Sequence, residues 1–155
     1  MKVRELMVRR VATVSPEDRL DFAVKRMKER NCGCLAVVND EYRALAVVTD
    51  RDICMAALES DAPLSRLAVR NAMSPTLVTC QVEDSIAEAE RLMGLHQVRR
   101  LPVVDALGRL EGLLSLDDIA REARREKGLI VPPVSAEAVG RTMGEIGRPH
   151  LVSET

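Results

Sequence analysis

The chain has 155 residues, of which 46% are hydrophobic and 30% charged, a composition that indicates a globular protein large enough to bury a core. A formal net charge of −1, with one Phe, one Tyr and no Trp, argues against nucleic acid as a partner. No apolar run reaches the length of a membrane span and the amino terminus has no secretory apolar region, so no membrane contact and a cytoplasmic location are expected.

The first part of the chain predicts a unit of strand, helix, strand, strand and helix. Ser15 followed by Pro16 predicts the start of a helix that continues to about Arg30, and Thr49 begins a second helix that ends near Ser60. The apolar stripe of the first helix is predicted at Leu20, Ala23, Val24 and Met27. The strands are predicted at residues 11–14, 35–38 and 44–48.

The same unit recurs 66 residues later. Pairing residues 3–53 with residues 69–119 needs no gap and gives 14 identities in 51 pairs, where chance gives roughly three. The second helix-forming stretch carries Ile86, Ala89 and Met93 toward the predicted sheet. Because a unit of about 50 residues cannot readily bury both faces of its sheet, the two units are expected to pack together.

The remaining segments define a predicted domain division. It consists of a first repeat at residues 1–62, a linker at 63–72, a second repeat at 73–127 and a carboxyl-terminal tail at 128–155. The last helix of the second repeat is expected to continue to Lys127. The tail has no counterpart in the repeat, and it is predicted to be extended at residues 129–133 and helical at 135–146, with Gly140 and Gly144 weakening that helix.

Neither a metal centre nor a catalytic site is indicated. The cysteines lie in or beside apolar runs, at Cys32, Cys34, Cys54 and Cys80. They form no CxxC pair, and His96 and His150 stand alone, so buried reduced thiols are favoured over zinc ligands and His96 is predicted at the surface. No histidine is paired with a plausible nucleophile and no glycine-rich phosphate loop occurs, so the chain is not expected to be an enzyme.

Both repeats end in a hydroxyl residue followed three positions later by an aspartate. These residues are Thr49 with Asp52 and Ser115 with Asp118. The spacing is that of a helix capping box, and Ser15 with Asp18 has it too, so spacing alone does not identify a site. However, the two later pairs follow a buried strand at a helix amino terminus, where a phosphate is favoured and a carboxylate can accept from a ribose diol. Helix caps and ligand-binding residues therefore both remain open.

The gapless repeats, the strand at residues 101–105 and the Gly112-x-x-Ser115-x-x-Asp118 ending resemble a tandem pair of CBS domains, a Bateman module, over about residues 3–120. The resemblance implies an α+β (mixed α/β) fold class, in which two β-α-β-β-α CBS repeats pack sheet to sheet with pseudo-twofold symmetry. It also implies a homodimer. The implied function is regulatory binding of AMP, ADP, ATP or S-adenosylmethionine in clefts between the repeats, with no catalytic cofactor and an unidentified regulated protein as a further partner.

The same resemblance implies roles for individual residues. Asp52 and Asp118 hold ribose hydroxyls, and Thr49 and Ser115 contact ribose or phosphate. The adenine pocket is implied at Thr13, Val14, Thr79 and Cys80. Arg99 and Arg100 occupy positions from which basic residues reach phosphates, with a solvated strand edge as the alternative.

The two repeats differ at the implied phosphate clamp. The first repeat has Gly33 and Cys34 where the second has Arg99 and Arg100, so the clefts are expected to be unequal. The phosphate-preferring cleft is predicted to combine an arginine with Ser115 and Asp118. An alternative function is an interaction scaffold whose pockets are vestigial or filled by the chain's own tail.

Overall fold

The computed structural model describes residues 1–125 and 133–149. In chain order the elements are α1 (Val3–Leu6), β1 (Thr13–Val14), α2 (Leu20–Arg30), β2 (Cys34–Val38), β3 (Ala44–Thr49), α3 (Asp50–Ser60), β4 (Cys80–Gln81), α4 (Ile86–His96), β5 (Arg100–Val104), β6 (Leu110–Ser115), α5 (Leu116–Arg125) and α6 (Ala136–Ile146). This order confirms the mixed α/β class with two β-α-β-β-α repeats. No helix in the described ranges is both long enough and apolar enough to span a bilayer.

Each repeat builds its own three-stranded sheet. β1 is parallel to β2 and β2 is antiparallel to β3, and β4, β5 and β6 repeat this order. The sheets meet at a small apolar cluster of Ala36, Val38 and Leu110. Two backbone hydrogen bonds join their hairpins: Ala44 N donates to Gly108 O at 3.1 Å, and Leu110 N donates to Tyr42 O at 2.9 Å. The sheets are thus joined both by side-chain packing and by their turns.

The first long helix begins at Leu20, so the predicted start at Ser15 and Pro16 is wrong. Ser15 N donates to Asp18 Oδ2 at 2.8 Å and closes a turn instead. Val69 N donates to Asp18 O at 2.7 Å, and Leu20 N donates to Leu67 O at 2.9 Å. Because residues 67–69 engage the backbone on both sides of residue 19, that residue is extended and the helix starts after it.

The two repeats exchange the segments that precede them. Val3 of α1 is fully buried in the core of the second repeat, and its N–H donates to Asp84 O at 2.9 Å. Val69, which precedes the second repeat, is fully buried in the core of the first. Each core is therefore completed by chain from the other side of the molecule, and this fixes the relative position of the repeats.

The tail helix α6 packs against the second repeat. Ser135 caps it, since Ser135 Oγ accepts from Ala138 N at 3.1 Å, and Val139 is buried in that repeat's core. The helix lies against α4 and α5, and the prediction of a helix over residues 135–146 is confirmed. The predicted continuation to Lys127 and the extended segment at residues 129–132 lie outside the described residues.

Two cysteines are buried, as predicted. Burial raises the pKa of Cys34 to about 11 and that of Cys80 to about 12, so both thiols are protonated at neutral pH. Cys54 is exposed at the open groove between α2 and α3 and Cys32 is only partly buried, so the predicted burial of these two thiols is wrong. His96 lies exposed at the end of α4, as predicted.

Candidate functional site

Both hydroxyl–aspartate pairs cap helices. Thr49 N donates to Asp52 Oδ2 at 2.9 Å, and Asp52 N donates to Thr49 Oγ1 at 3.2 Å. The second pair has the same geometry, with Ser115 N to Asp118 Oδ2 at 2.9 Å and Asp118 N to Ser115 Oγ at 3.2 Å. The predicted capping boxes are confirmed, and they hold each carboxylate at the start of a helix, where the helix dipole favours negative charge.

The two aspartates differ in the partner of their second carboxylate oxygen, Oδ1. Arg121 on the same helix forms an ion pair with Asp118 Oδ1. The equivalent position in the first repeat is Met55, which offers no donor. Within the described ranges, Asp52 Oδ1 has no hydrogen-bond partner, since its bonds use Oδ2 alone. Asp52 therefore keeps an oxygen for a ligand, whereas the corresponding oxygen of Asp118 is already ion-paired with Arg121.

A cavity of about 430 Å³ brings residues of both repeats together. Thr49 and Asp52 line it from the first repeat, and Arg99 and Arg100 line it from the second. With Arg51, these side chains give three positive charges against one negative, a formal excess of two. The volume lies within the range of small-molecule sites, and the charge favours an anionic ligand. We call this the Asp52 cavity.

The remaining walls of the Asp52 cavity are partly apolar. Hydroxyls come from Ser74 and Thr76, and Gln97 adds a side-chain amide. The apolar lining consists of Cys34, Val47, Val78, Val98 and Ile146. The apolar part of the cavity can thus hold an apolar ring system, while the charged side chains can contact polar groups of the same ligand.

Several of these lining residues belong to no motif in the sequence. Val47 lies two positions before Thr49 on β3, so strand alternation places both side chains on one face and could have identified it. Thr76 and Val78 are also two positions apart, in the segment before β4. No sequence pattern connects Ile146, which is on α6, with the repeats.

The structure corrects the predicted pairing of the arginines with Ser115 and Asp118. Neither of those residues lines the Asp52 cavity, and Asp118 faces a separate hollow of about 330 Å³. The Arg100 guanidinium instead lies near Cys34 of β2, where it opposes the rise in the pKa of that thiol. The physical reason is the pseudo-twofold arrangement, in which the segment leading into β5 faces the hydroxyl–aspartate pair of the other repeat.

The predicted adenine-pocket residues also lie elsewhere. Thr13, Val14, Thr79 and Cys80 are not among the residues that line the Asp52 cavity. Val14 and Cys80 are buried in the cores of the first and second repeats, respectively. Thr76 and Val78, which precede Thr79 and Cys80, line the cavity instead. Thr79 is adjacent to Val78 and therefore points to the opposite side in an extended chain. In the part of the chain that the structure describes, no three His, Cys, Asp or Glu residues are grouped to hold a metal ion.

Comparisons with known proteins agree with this architecture. The sequence model of the CBS domain matches residues 3–59 and 69–125. The CBS domain-containing protein YhcV of Bacillus subtilis is 36% identical over 149 residues, which are 96% of this chain and 97% of that protein. The structure of CBSX2 in complex with AMP has a TM-score of 0.72 at 28% identity, over 81% of this chain and 98% of that one.

A more distant structure matches the fold. The CBS domain pair of MJ0100, in complex with 5′-methylthioadenosine and S-adenosyl-L-methionine, has a TM-score of 0.74 at 20% identity. The match covers 82% of this chain and 98% of that one. The arrangement of the two repeats is therefore common to both proteins.

Proposed function

The chain belongs to the CBS domain family, and from that premise we propose that it is a regulatory protein that binds a phosphorylated adenosine compound in the Asp52 cavity. Binding favours one arrangement of the repeats or of their dimer, because a ligand shifts an equilibrium only by its different affinity for the two states. No chemical step is part of this function.

The observation that carries the proposal is the free oxygen of Asp52 in the same cavity as two arginines. A carboxylate oxygen accepts hydrogen bonds from a ribose diol, and guanidinium groups bind phosphate through parallel hydrogen bonds. Asp52 Oδ1 has no partner within residues 1–125 and 133–149, and Arg99 and Arg100 lie on the opposite repeat. One ligand carrying both ribose and phosphate would use the two sets of groups together.

Charge favours a nucleotide over S-adenosylmethionine. The Asp52 cavity has a formal excess of two positive charges. A nucleotide phosphate is attracted by this excess, whereas the sulfonium of S-adenosylmethionine is repelled by it. The proposed order of affinity is therefore ATP or AMP before S-adenosylmethionine.

A thermal-shift assay tests the proposal. At a ligand concentration about a hundred times Kd, AMP or ATP should stabilise the fold by about 2.7 kcal/mol, which raises Tm by roughly 5–10 °C for a chain of this size. S-adenosylmethionine at the same concentration should give a smaller rise. An unchanged Tm with millimolar AMP, ATP and S-adenosylmethionine would instead support the scaffold with vestigial pockets.

We further propose a homodimer that forms through the helices of the first repeat. An open groove of about 660 Å³ lies between α2 and α3, bordered by Val24, Cys54 and Ala57. Beside it Leu58 is 77% exposed and Met55 is 47% exposed. In the second repeat the corresponding groove between α4 and α5 is covered by α6.

Charge supports pairing of this surface with a second copy of itself. α2 carries four positive and two negative side chains, an excess of two positive charges. α3 carries one positive and three negative side chains, an excess of two negative charges. A twofold axis that places α2 of one copy opposite α3 of the other would bring opposite charges together on both sides of the groove.

Leu58→Glu should therefore weaken the dimer at least about tenfold, because it places a charge on apolar surface that the proposed interface would bury. Sedimentation velocity at micromolar protein is the measurement. Leu107→Glu is the control, since Leu107 is exposed in the turn between β5 and β6, away from the groove. A monomeric wild type, or equal dissociation of the two variants, would contradict this interface.

A further inference from the structure

The carboxyl-terminal end of α6 reaches the Asp52 cavity. Ile146, the last residue of the helix, lines the cavity, and so does Gln97 of the second repeat. Gln97 Nε2 donates to Arg148 O at 3.0 Å and to Glu145 O at 3.5 Å. One wall of the cavity is thus made by α6 and by the side chain that attaches its end to the repeat.

The second repeat has a surface shaped for α6. Glu90 of α4 accepts from Thr142 Oγ1 at 3.5 Å. A Cβ added at Gly94 would overlap the end of the Glu145 side chain and lie 3.2 Å from the Glu145 Cβ, so a larger residue there would require Glu145 to move. The first repeat has Lys28 at the position equivalent to Gly94. Lys28 has a longer side chain than Gly94, and α6 lies on the second repeat, beside the Asp52 cavity.

The helix depends on docking for its stability. Gly140 and Gly144 lie within it, and a Cβ at either position would meet no atom within 4 Å. Packing therefore does not require these glycines, which are poor helix formers. A helix of 11 residues is marginal on its own in water.

Docking also buries Glu90, and this burial raises the pKa of its carboxyl group, while Thr142 and Arg141 act in the opposite direction.

We propose that a nucleotide in the Asp52 cavity holds α6 on the second repeat, so that α6 reports whether the site is occupied. This inference rests on the proposed nucleotide-binding function. A ligand that contacts Ile146 and Gln97 only when α6 is docked binds the docked state more tightly, and it shifts the helix toward that state. By linkage, docking of α6 raises affinity for the ligand by the same factor. Release of α6 exposes Val139 and the groove between α4 and α5.

Hydrogen exchange of the full chain, with AMP as the probe, measures this coupling. Saturating AMP should slow exchange of the α6 amides about tenfold or more, while the amides of α2, which do not line the Asp52 cavity, should slow less. Equal slowing in α6 and α2 would mean general stabilisation and would overturn the inference.

Two substitutions in α6 test the coupling in the reverse direction, by changing the helix and measuring the affinity for AMP. Ile146→Ala should weaken AMP binding by about three- to tenfold, because it removes an apolar wall of the site. Met143→Ala is the matched control, since Met143 is 54% exposed and does not line the cavity.

Gly144→Ala should strengthen AMP binding by about two- to fivefold, because it favours the helical, docked state.

The outcomes separate this inference from the function on which it rests. AMP binding with unchanged α6 exchange, or with equal affinity in Ile146→Ala and Met143→Ala, would overturn the coupling and leave the nucleotide site intact. A folded protein that binds neither AMP, ATP nor S-adenosylmethionine would overturn both. Slower α6 exchange together with tighter binding by Gly144→Ala would support both.

Discussion

Asp52→Ala should lower the affinity for AMP by roughly 10- to 150-fold. The carboxylate offers Oδ1 to the ribose hydroxyls, and hydrogen bonds to a charged group contribute about 1.5–3 kcal/mol. Titration calorimetry measures the affinity directly. A change below about threefold would mean that Asp52 serves only as a helix cap.

Asp118→Ala is the matched control for this substitution. Both variants remove the same kind of cap, at a cost of about 1 kcal/mol in the free energy of unfolding. The control should leave AMP affinity within about threefold, because Asp118 does not line the Asp52 cavity and its Oδ1 is paired with Arg121. Equal losses of affinity in the two variants would point to two equivalent sites, which the unequal environments of the aspartates do not predict.

Replacing Arg99 and Arg100 together by Gln should lower ATP affinity by roughly 100-fold or more. Charge-assisted bonds from guanidinium to phosphate are about twice as strong as neutral ones, and two of them would be lost. Adenosine, which has no phosphate, should change by less than about threefold, since its ribose contacts remain. Titrations with ATP and adenosine at two salt concentrations give the comparison, and the salt dependence of ATP binding should also fall.

Replacing Arg124 and Arg125 by Gln controls for general loss of positive charge. These adjacent arginines are exposed on α5 and do not line the Asp52 cavity. This variant should bind ATP as the wild type does. If adenosine and ATP lost affinity equally in the Arg99 and Arg100 variant, the arginines would be acting on the fold and not on phosphate.

Local patterns predicted most of the fold. Helix caps at Thr49 and Ser115 follow from residue type and spacing, and the helix α6 follows from its cap at Ser135 and its apolar residues. The identical spacing at Ser15 and Asp18 forms a turn and not a helix start. The reason is that Val69 N donates to Asp18 O and Leu20 N donates to Leu67 O, which holds the backbone on either side of residue 19. Long-range hydrogen bonds of that kind cannot be derived from a local pattern.

The candidate site was predicted in part, for a related reason. The sequence-based hypothesis included Asp52, Thr49, Arg99 and Arg100, which line one cavity, but it assigned the arginines to the aspartate of their own repeat. Which hydroxyl–aspartate pair they face depends on the relative position of the repeats, and the exchanged segments around Val3 and Val69 establish that position. The contribution of Ile146 depends on where α6 docks, and that position is set by long-range contacts of α6 with α4 and α5.

A crystal structure of the full chain with AMP would test the site most directly. We predict one nucleotide in the Asp52 cavity, with its ribose hydroxyls on Asp52 Oδ1 and its phosphate on Arg99 or Arg100. A nucleotide bound at Asp118, with Asp52 bonded only to Thr49, would contradict the assignment of the site.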